Sequence, residues 1–190
     1  MKNNINIKEI VISAIILAVI AGGVTTALAA TNALTAPVIA AITDQAETKA
    51  RQQVIDADSF EKHTIGDNES QVTYYAAIKG GDVVGYVFSV SSTGKSSGLV
   101  VMTGISANGS IAGVSVTSDN ETAGYVNKIK NAGLFDRFLG KPSSKKLELG
   151  TDIDGVSQAT KTSKGVTDGV NKAIEYYSTY IKEVQDDERT

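Results

Sequence analysis

The N-terminal part of the chain carries an uninterrupted apolar run. None of the 34 residues from Ile10 to Thr43 is charged. A helix of about 20 apolar residues is long enough to cross the hydrocarbon core of a bilayer, so residues 10–30 predict a retained single transmembrane anchor. The tripeptide Ala27-Leu28-Ala29 leaves a cleavable signal peptide as the alternative, but the apolar run continues past it to Ile42.

The segment after the anchor predicts a second helix. Thr35 is placed to act as its N-cap, and Pro37 would lie in its first turn, where proline is tolerated. The expected division is therefore an N-terminal segment with the transmembrane anchor at 1–34, an exit helix or linker at 35–58, and a soluble domain at 59–190.

The soluble part begins with segments in which apolar and polar residues partly alternate, as is typical of strands. They lie at 71–79, 83–90, 99–105 and 111–116. Gly80-Gly81-Asp82 separates the first pair and Asn108-Gly109 the second, which indicates two β-hairpins. A polar loop is expected from Ser91 to Gly98 and another from Ser118 to Gly124.

Helical periodicity follows the strands. A helix is predicted from Asn127 to Leu139. The strongest signal comes from apolar residues spaced three and four apart on one face of a long C-terminal helix: Val166, Val170, Ala173, Ile174, Tyr177, Ile181 and Val184. Gly165 and Gly169 cost roughly 1 kcal/mol each in a helix interior, so this helix needs tertiary packing. Hairpins first and a long amphipathic helix last indicate the α+β class.

Composition limits the chemistry. The chain has no cysteine and a single histidine among 190 residues, which excludes disulfides and a thiolate-bound iron–sulfur cluster and makes a zinc or haem site improbable. His63 is interpreted as a surface strand residue, and neither a catalytic constellation nor a metal site is predicted. The net charge of −3 argues against a nucleic-acid partner.

One stretch, Asp154 to Val166, concentrates small and hydroxyl-bearing residues directly before the last helix. The hydroxyls belong to Ser157, Thr160, Thr162, Ser163 and, just beyond, Thr167. One interpretation is a polar turn with Thr162 or Ser163 as the N-cap. The other is a site for a phosphate group at the helix N-terminus, with Lys161 and Lys164 offsetting its charge.

Three motifs, together with the anchor, resemble a known family. Asp154, Ser157, Ala159 and Thr160 match a flavinylation signature, with Gln158 where the family usually has glycine. The segment 121–124 reads Glu-Thr-Ala-Gly, close to a Glu-Thr-Pro-Gly loop, and Ser96-Ser97-Gly98-Leu99-Val100 resembles a glycine-rich segment ahead of a strand. Nearly the whole chain is similar to the G subunits of bacterial Rnf complexes and, more distantly, to the C subunit of the sodium-translocating NADH:quinone reductase.

The resemblance implies a site. Thr160 would carry FMN covalently as a phosphoester, and Asp154 would serve recognition by the FMN transferase, a separate magnesium-dependent enzyme that uses FAD as donor. The other residues implied in cofactor binding are Ser157, Ala159, Lys161, Thr162, Glu121, Thr122 and Gly124.

The resemblance also implies a function: an electron-relay subunit of a membrane-bound ferredoxin:NAD oxidoreductase that translocates Na⁺ or H⁺, with no substrate turnover of its own. Its partners would be the lipid bilayer and the membrane, iron–sulfur and flavin subunits of the complex. The expected location is the cell membrane, single-pass, with the N-terminus cytoplasmic and the domain extracytoplasmic. From the residues alone, a non-redox membrane-anchored binding or pilin-like module remains the alternative.

Overall fold

The computed structural model describes residues 7–66, 71–118 and 124–182. The chain forms two compact units that divide between Ala46 and Glu47. The first helix, α1, spans Ile7–Val54. Its segment Ile10–Ala33 has a mean hydropathy of 2.4, and none of its residues is buried. By length and composition this segment is able to cross a membrane.

The prediction of a new helix at Thr35 is wrong, because α1 continues through this position without a break. The Thr35 hydroxyl donates to the Thr31 carbonyl oxygen at 2.9 Å, one turn earlier, so it does not cap a helix start. This i to i−4 bond is a common choice for threonine inside a helix.

Five strands form one antiparallel sheet in the described residues, in the sequential order β1 to β5. They are β1 Ser59–Ile65, β2 Val72–Lys79, β3 Asp82–Thr93, β4 Ser97–Ser106 and β5 Ile111–Ser118. Both predicted hairpins are confirmed. Strand β1 was not among the predicted elements, although His63 is an exposed strand residue, as expected.

The predicted loop from Ser91 to Gly98 is much shorter in the structure. Strand β3 continues to Thr93 and β4 begins at Ser97, which leaves a turn of three residues, 94–96. The serines of this segment suggested a loop, but Ser91 and Ser92 belong to β3 and lie opposite Val100 and Leu99 of β4.

The central strands of the sheet are buried on both faces. One face packs against the C-terminal helix α3, Thr160–Tyr177, through residues such as Phe88 and Leu99. The opposite face packs against Val54 and Ile55 at the end of α1. Two-sided burial explains why the alternation along β4 and β5 is only partial.

The helix predicted from Asn127 to Leu139 consists of two pieces. Helix α2 spans Tyr125–Asn131 and a 3₁₀ helix spans Phe135–Phe138. Gly133 between them has φ 68°, a conformation that ends a right-handed helix. The long C-terminal helix is confirmed through Tyr177, and a π-helical turn, Ser178–Lys182, follows it; Val184 lies outside the described residues.

Candidate functional site

The site is built around the N-terminus of α3. The helix begins at Thr160, and its N-cap, Ala159, makes no side-chain cap hydrogen bond. The prediction of Thr162 or Ser163 as the N-cap is therefore wrong. The Ser163 hydroxyl instead accepts from the Val156 amide at 3.2 Å and donates to the Ala159 carbonyl at 3.0 Å, which fixes the preceding turn to the helix.

The five hydroxyls of this stretch differ in accessibility. Those of Thr162, Ser163 and Thr167 belong to buried residues, whereas Ser157 and Thr160 are exposed. No described residue forms a hydrogen bond to the Thr160 hydroxyl. Thr160 thus presents an accessible oxygen at the positive end of a helix dipole, where an anionic group is stabilised.

Gln158 has a left-handed backbone, with φ 62°, and it is the sole described residue other than glycine with positive φ. Its side-chain oxygen accepts from the Lys128 ammonium at 2.7 Å. A side chain at such a position costs roughly 1–2 kcal/mol relative to glycine. The backbone conformation explains why glycine suits this position of the signature.

The loop before the site is fixed by side chains that the sequence analysis did not single out. The Arg137 guanidinium donates to the backbone carbonyl of Asp154 and, at 3.0 Å, to that of Ala132. The Asn171 amide on α3 makes two 2.8 Å bonds with the backbone of Leu147. The Asp154 side chain itself is exposed.

The turn between β3 and β4 lies directly against α3. A Cβ atom at Gly165 would stand 2.8 Å from Thr93 O and Gly94 Cα. The Ser92 hydroxyl donates to the Gly165 carbonyl oxygen at 2.7 Å. Because Gly165 has no side chain, the turn that contains Lys95 can lie against the N-terminal part of α3.

A pocket of about 230 Å³ lies beside this helix start, lined by Gly124, Tyr125, Lys128 and Gln158. The Lys95 ammonium hydrogen-bonds to the Tyr125 hydroxyl at 3.0 Å and lies 4.3 Å from the centre of its ring. This hydrogen bond, with the positive charge of Lys95 and a smaller contribution from Lys128, lowers the pKa of Tyr125.

The structure thus brings part of the predicted site together. Gly124 and Gln158 both line the pocket, and no atom lies within 4 Å of the position that a Cβ would take at Gly124. Lys161 is exposed, whereas Lys164 pairs with Asp168 at 2.7 Å, further along the helix. Ala159 is buried, and Glu121 and Thr122 lie outside the described residues.

These residues fit a phosphate-bearing flavin. An accessible hydroxyl at a helix N-terminus suits the phosphate. Cationic and aromatic side chains around an adjoining open pocket suit a planar, electron-accepting ring.

Comparisons with known proteins agree with this chemistry. Residues 94–175 match the family model of an FMN-binding domain, and residues 1–54 match that of the RnfG N-terminal region. The chain is 35% identical to the G subunit of the Na(+)-translocating ferredoxin:NAD(+) oxidoreductase complex of Acetobacterium woodii, over 88% of this chain and 91% of the relative.

Two further relatives extend the comparison. The G subunit of the proton-translocating ferredoxin:NAD(+) oxidoreductase complex of Clostridium ljungdahlii is 30% identical, over 80% of this chain and 83% of the relative. The G subunit of the ion-translocating oxidoreductase complex of Aliivibrio fischeri is 25% identical, over 91% of this chain and 92% of the relative.

Proposed function

The chain belongs to the family of G subunits of the Rnf ion-translocating oxidoreductase complexes, and we propose that it carries FMN covalently on Thr160. Its FMN-binding domain at 94–175 implies an electron-transfer flavoprotein that works with the other subunits of the complex. The observation that supports Thr160 is its accessible hydroxyl at the start of α3, because three of its four hydroxyl-bearing neighbours are buried.

The attachment is a group transfer from FAD. The Thr160 oxygen forms a bond to the phosphorus of the FMN moiety and loses its proton, the pyrophosphate bond of FAD breaks, and AMP leaves. A separate magnesium-dependent transferase performs this step, and the exposed Asp154 serves its recognition of the chain.

After attachment, the start of α3 stabilises the phosphodiester. The first amides of a helix have no intrahelical acceptor and favour a negative group, and Ala159 has no polar side chain that would compete for them. Lys161 adds a positive charge on the first turn. The flavin supplies the redox chemistry, and the protein supplies its attachment and its electrostatic surroundings.

The proposed role is a relay of electrons between subunits, without turnover of a free substrate. The apolar segment Ile10–Ala33 would anchor the chain as a single span, with its N-terminus in the cytoplasm and the flavin domain on the other side. Lys2 and Lys8 before the span favour this orientation. Covalent attachment prevents loss of the flavin from a domain exposed to an aqueous compartment.

Denaturing electrophoresis under ultraviolet light tests the attachment. The full-length chain, produced in cells that contain the transferase, is expected to give a fluorescent band that survives denaturation. The band should vanish in Thr160→Ala and persist in Thr160→Ser, which keeps a hydroxyl. Tandem mass spectrometry of the peptide that contains 157–161 then locates the added group.

A modification on Ser157, or an unmodified intact mass in the presence of an active transferase, would contradict the proposal. The second outcome would favour the non-redox binding module, whose anchor and small α+β domain need no flavin.

A further inference from the structure

Two lysines from different elements meet at Tyr125. Lys95 comes from the β3–β4 turn, and its ammonium contacts both the hydroxyl and the ring of Tyr125. Lys128 comes from α2, three residues after Tyr125 and therefore on the same face of that helix. Lys128, Gln158 and Tyr125 line the pocket beside the proposed attachment residue, and Lys95 reaches it through its contact with Tyr125.

The charge around this pocket is not balanced within the described residues. Neither Lys95 nor Lys128 has a described carboxylate within 4.0 Å, whereas Lys164 pairs with Asp168 and Lys172 with Glu175. The hydrogen-bond partners of Lys95 and Lys128 are neutral oxygens, those of Tyr125 and Gln158. Among the described residues, the charged groups at this pocket are therefore positive, which favours negative charge there.

We infer that Lys95 and Lys128 raise the midpoint potential of the flavin, with Tyr125 and Gln158 as the groups that position the two ammoniums. This inference rests on the proposed function, because it requires a flavin on Thr160. Reduction adds negative charge to the flavin, and nearby positive charges stabilise the reduced form more than the oxidised form. Neither lysine belongs to the motifs that indicated the site from the sequence.

The position of each lysine is set by packing. Lys95 lies in a three-residue turn closed by a 3.1 Å hydrogen bond from the Gly94 amide to the Ser96 carbonyl, and this turn is pressed against Gly165 of α3. Lys128 is oriented by its 2.7 Å bond to Gln158. The two ammoniums are thus fixed relative to the helix that carries Thr160.

Tyr125 reports on both charges. Its pKa is lowered first by the Lys95 hydrogen bond, then by the Lys95 charge, and further by the Lys128 charge. A nearby positive charge favours the anionic form of a tyrosine. The same field would favour negative charge on a flavin in this pocket.

The test uses full-length flavinylated protein and the single variants Lys95→Met and Lys128→Met. Lys130→Met is the matched control, because Lys130 is exposed on the same helix but lies about 200° around it from Lys128. Each variant removes one positive charge and keeps a side chain of similar length. The midpoint potential is measured by spectroelectrochemical titration.

We expect the Lys95 and Lys128 variants each to lower the ratio of reduced to oxidised flavin, at a fixed applied potential, by about three- to tenfold. A tenfold change equals about 59 mV for a one-electron step. The control should match the wild type. Because both lysines are exposed, the difference in midpoint potential between each variant and the wild type should shrink as salt is raised from about 0.05 M to 1 M. A purely structural effect would not depend on salt in this way.

Flavin content, measured from the fluorescent band, separates the proposed attachment on Thr160 from the inferred effect of the two lysines on the midpoint potential. Normal flavin content with an unchanged potential in both variants would overturn the inference and leave the proposed function intact. An equal shift in Lys130→Met would also overturn it, because the effect would then reflect net charge alone. If the wild type itself carries no covalent flavin, the proposed function fails and this inference fails with it.

Discussion

Gly165 and Gly169 allow α3 to lie directly on the β3–β4 hairpin, and alanine substitutions at the two positions test this packing. At Gly165 the added Cβ would stand 2.8 Å from backbone atoms of Thr93 and Gly94. At Gly169 it would stand 2.7 Å from side-chain atoms of Val101. Both distances are too short for carbon contacts, so each variant forces a displacement.

The magnitude follows from two opposing effects. Alanine is favoured over glycine by roughly 1 kcal/mol in a helix interior, whereas overpacking a buried contact costs about 1–3 kcal/mol. We expect Gly169→Ala to lower the free energy of unfolding by about 1 kcal/mol. Gly165→Ala should lower it by about 2 kcal/mol, because backbone cannot yield as a side chain can.

A double-mutant cycle distinguishes the two sites. Val101→Ala removes the two Cγ atoms of Val101 that obstruct Gly169 and keeps its Cβ, so the pair Gly169→Ala and Val101→Ala should couple favourably by about 0.5 kcal/mol. The same Val101→Ala substitution should show no coupling with Gly165→Ala, whose obstruction is the backbone of the turn.

The assay is urea denaturation of the full-length chain in detergent, followed by circular dichroism. Gly155→Ala is the control, since the nearest atoms there, those of Leu149, stand at an ordinary 3.6 Å. A Gly165→Ala variant as stable as the wild type would refute the close approach of the turn to the helix. So would equal coupling of Val101→Ala to both glycine variants.

Two further predictions concern the loop before α3. Gln158→Gly should be about 1 kcal/mol more stable to urea than Gln158→Ala. Both variants lose the bond to Lys128, but only alanine keeps the cost of the left-handed backbone. Equal stability of the two variants would contradict this explanation. The pKa of Asp152 is lowered by its hydrogen bond from Lys145 and then by that from the Glu148 amide. A carboxyl group whose pKa is lower in the folded than in the unfolded state, near 3.9, stabilises the fold above that pH, and this stability is lost as pH falls through the folded-state pKa. In Asp152→Asn, the free energy of unfolding measured in urea should therefore depend less on pH below about pH 4.

The sequence predicted the elements whose signals are local. The two hairpins follow from turn residues that accept positive φ, such as Gly81 and Gly109, and α3 follows from its apolar spacing. The predictions that failed concern ends and breaks of elements. Thr35 resembled a cap because cap residues also occur inside helices, and the break of α2 near Gly133 depends on the packing of Leu134 and Phe138 in the core.

The candidate site was predictable only in part, for a physical reason. A sequence motif indicates which hydroxyls are present but not which are accessible, and the structure adds that Thr160 is exposed whereas Thr162 and Ser163 are buried. The contribution of Lys95 was not predictable, because it depends on a long-range contact between the β3–β4 turn and Tyr125. No local pattern encodes such a contact.

Gln158 affects both the backbone conformation of the site and the position of a charge beside it. A glycine there would remove the strain of the left-handed conformation, yet it would also remove the oxygen that the Lys128 ammonium contacts. The strained residue therefore orients a positive charge beside the helix start, at a cost of roughly 1–2 kcal/mol of stability. A local cost of this kind is tolerable in a domain whose central strands are buried on both faces, because the large core supplies the stability and leaves the surface loop free to position charge.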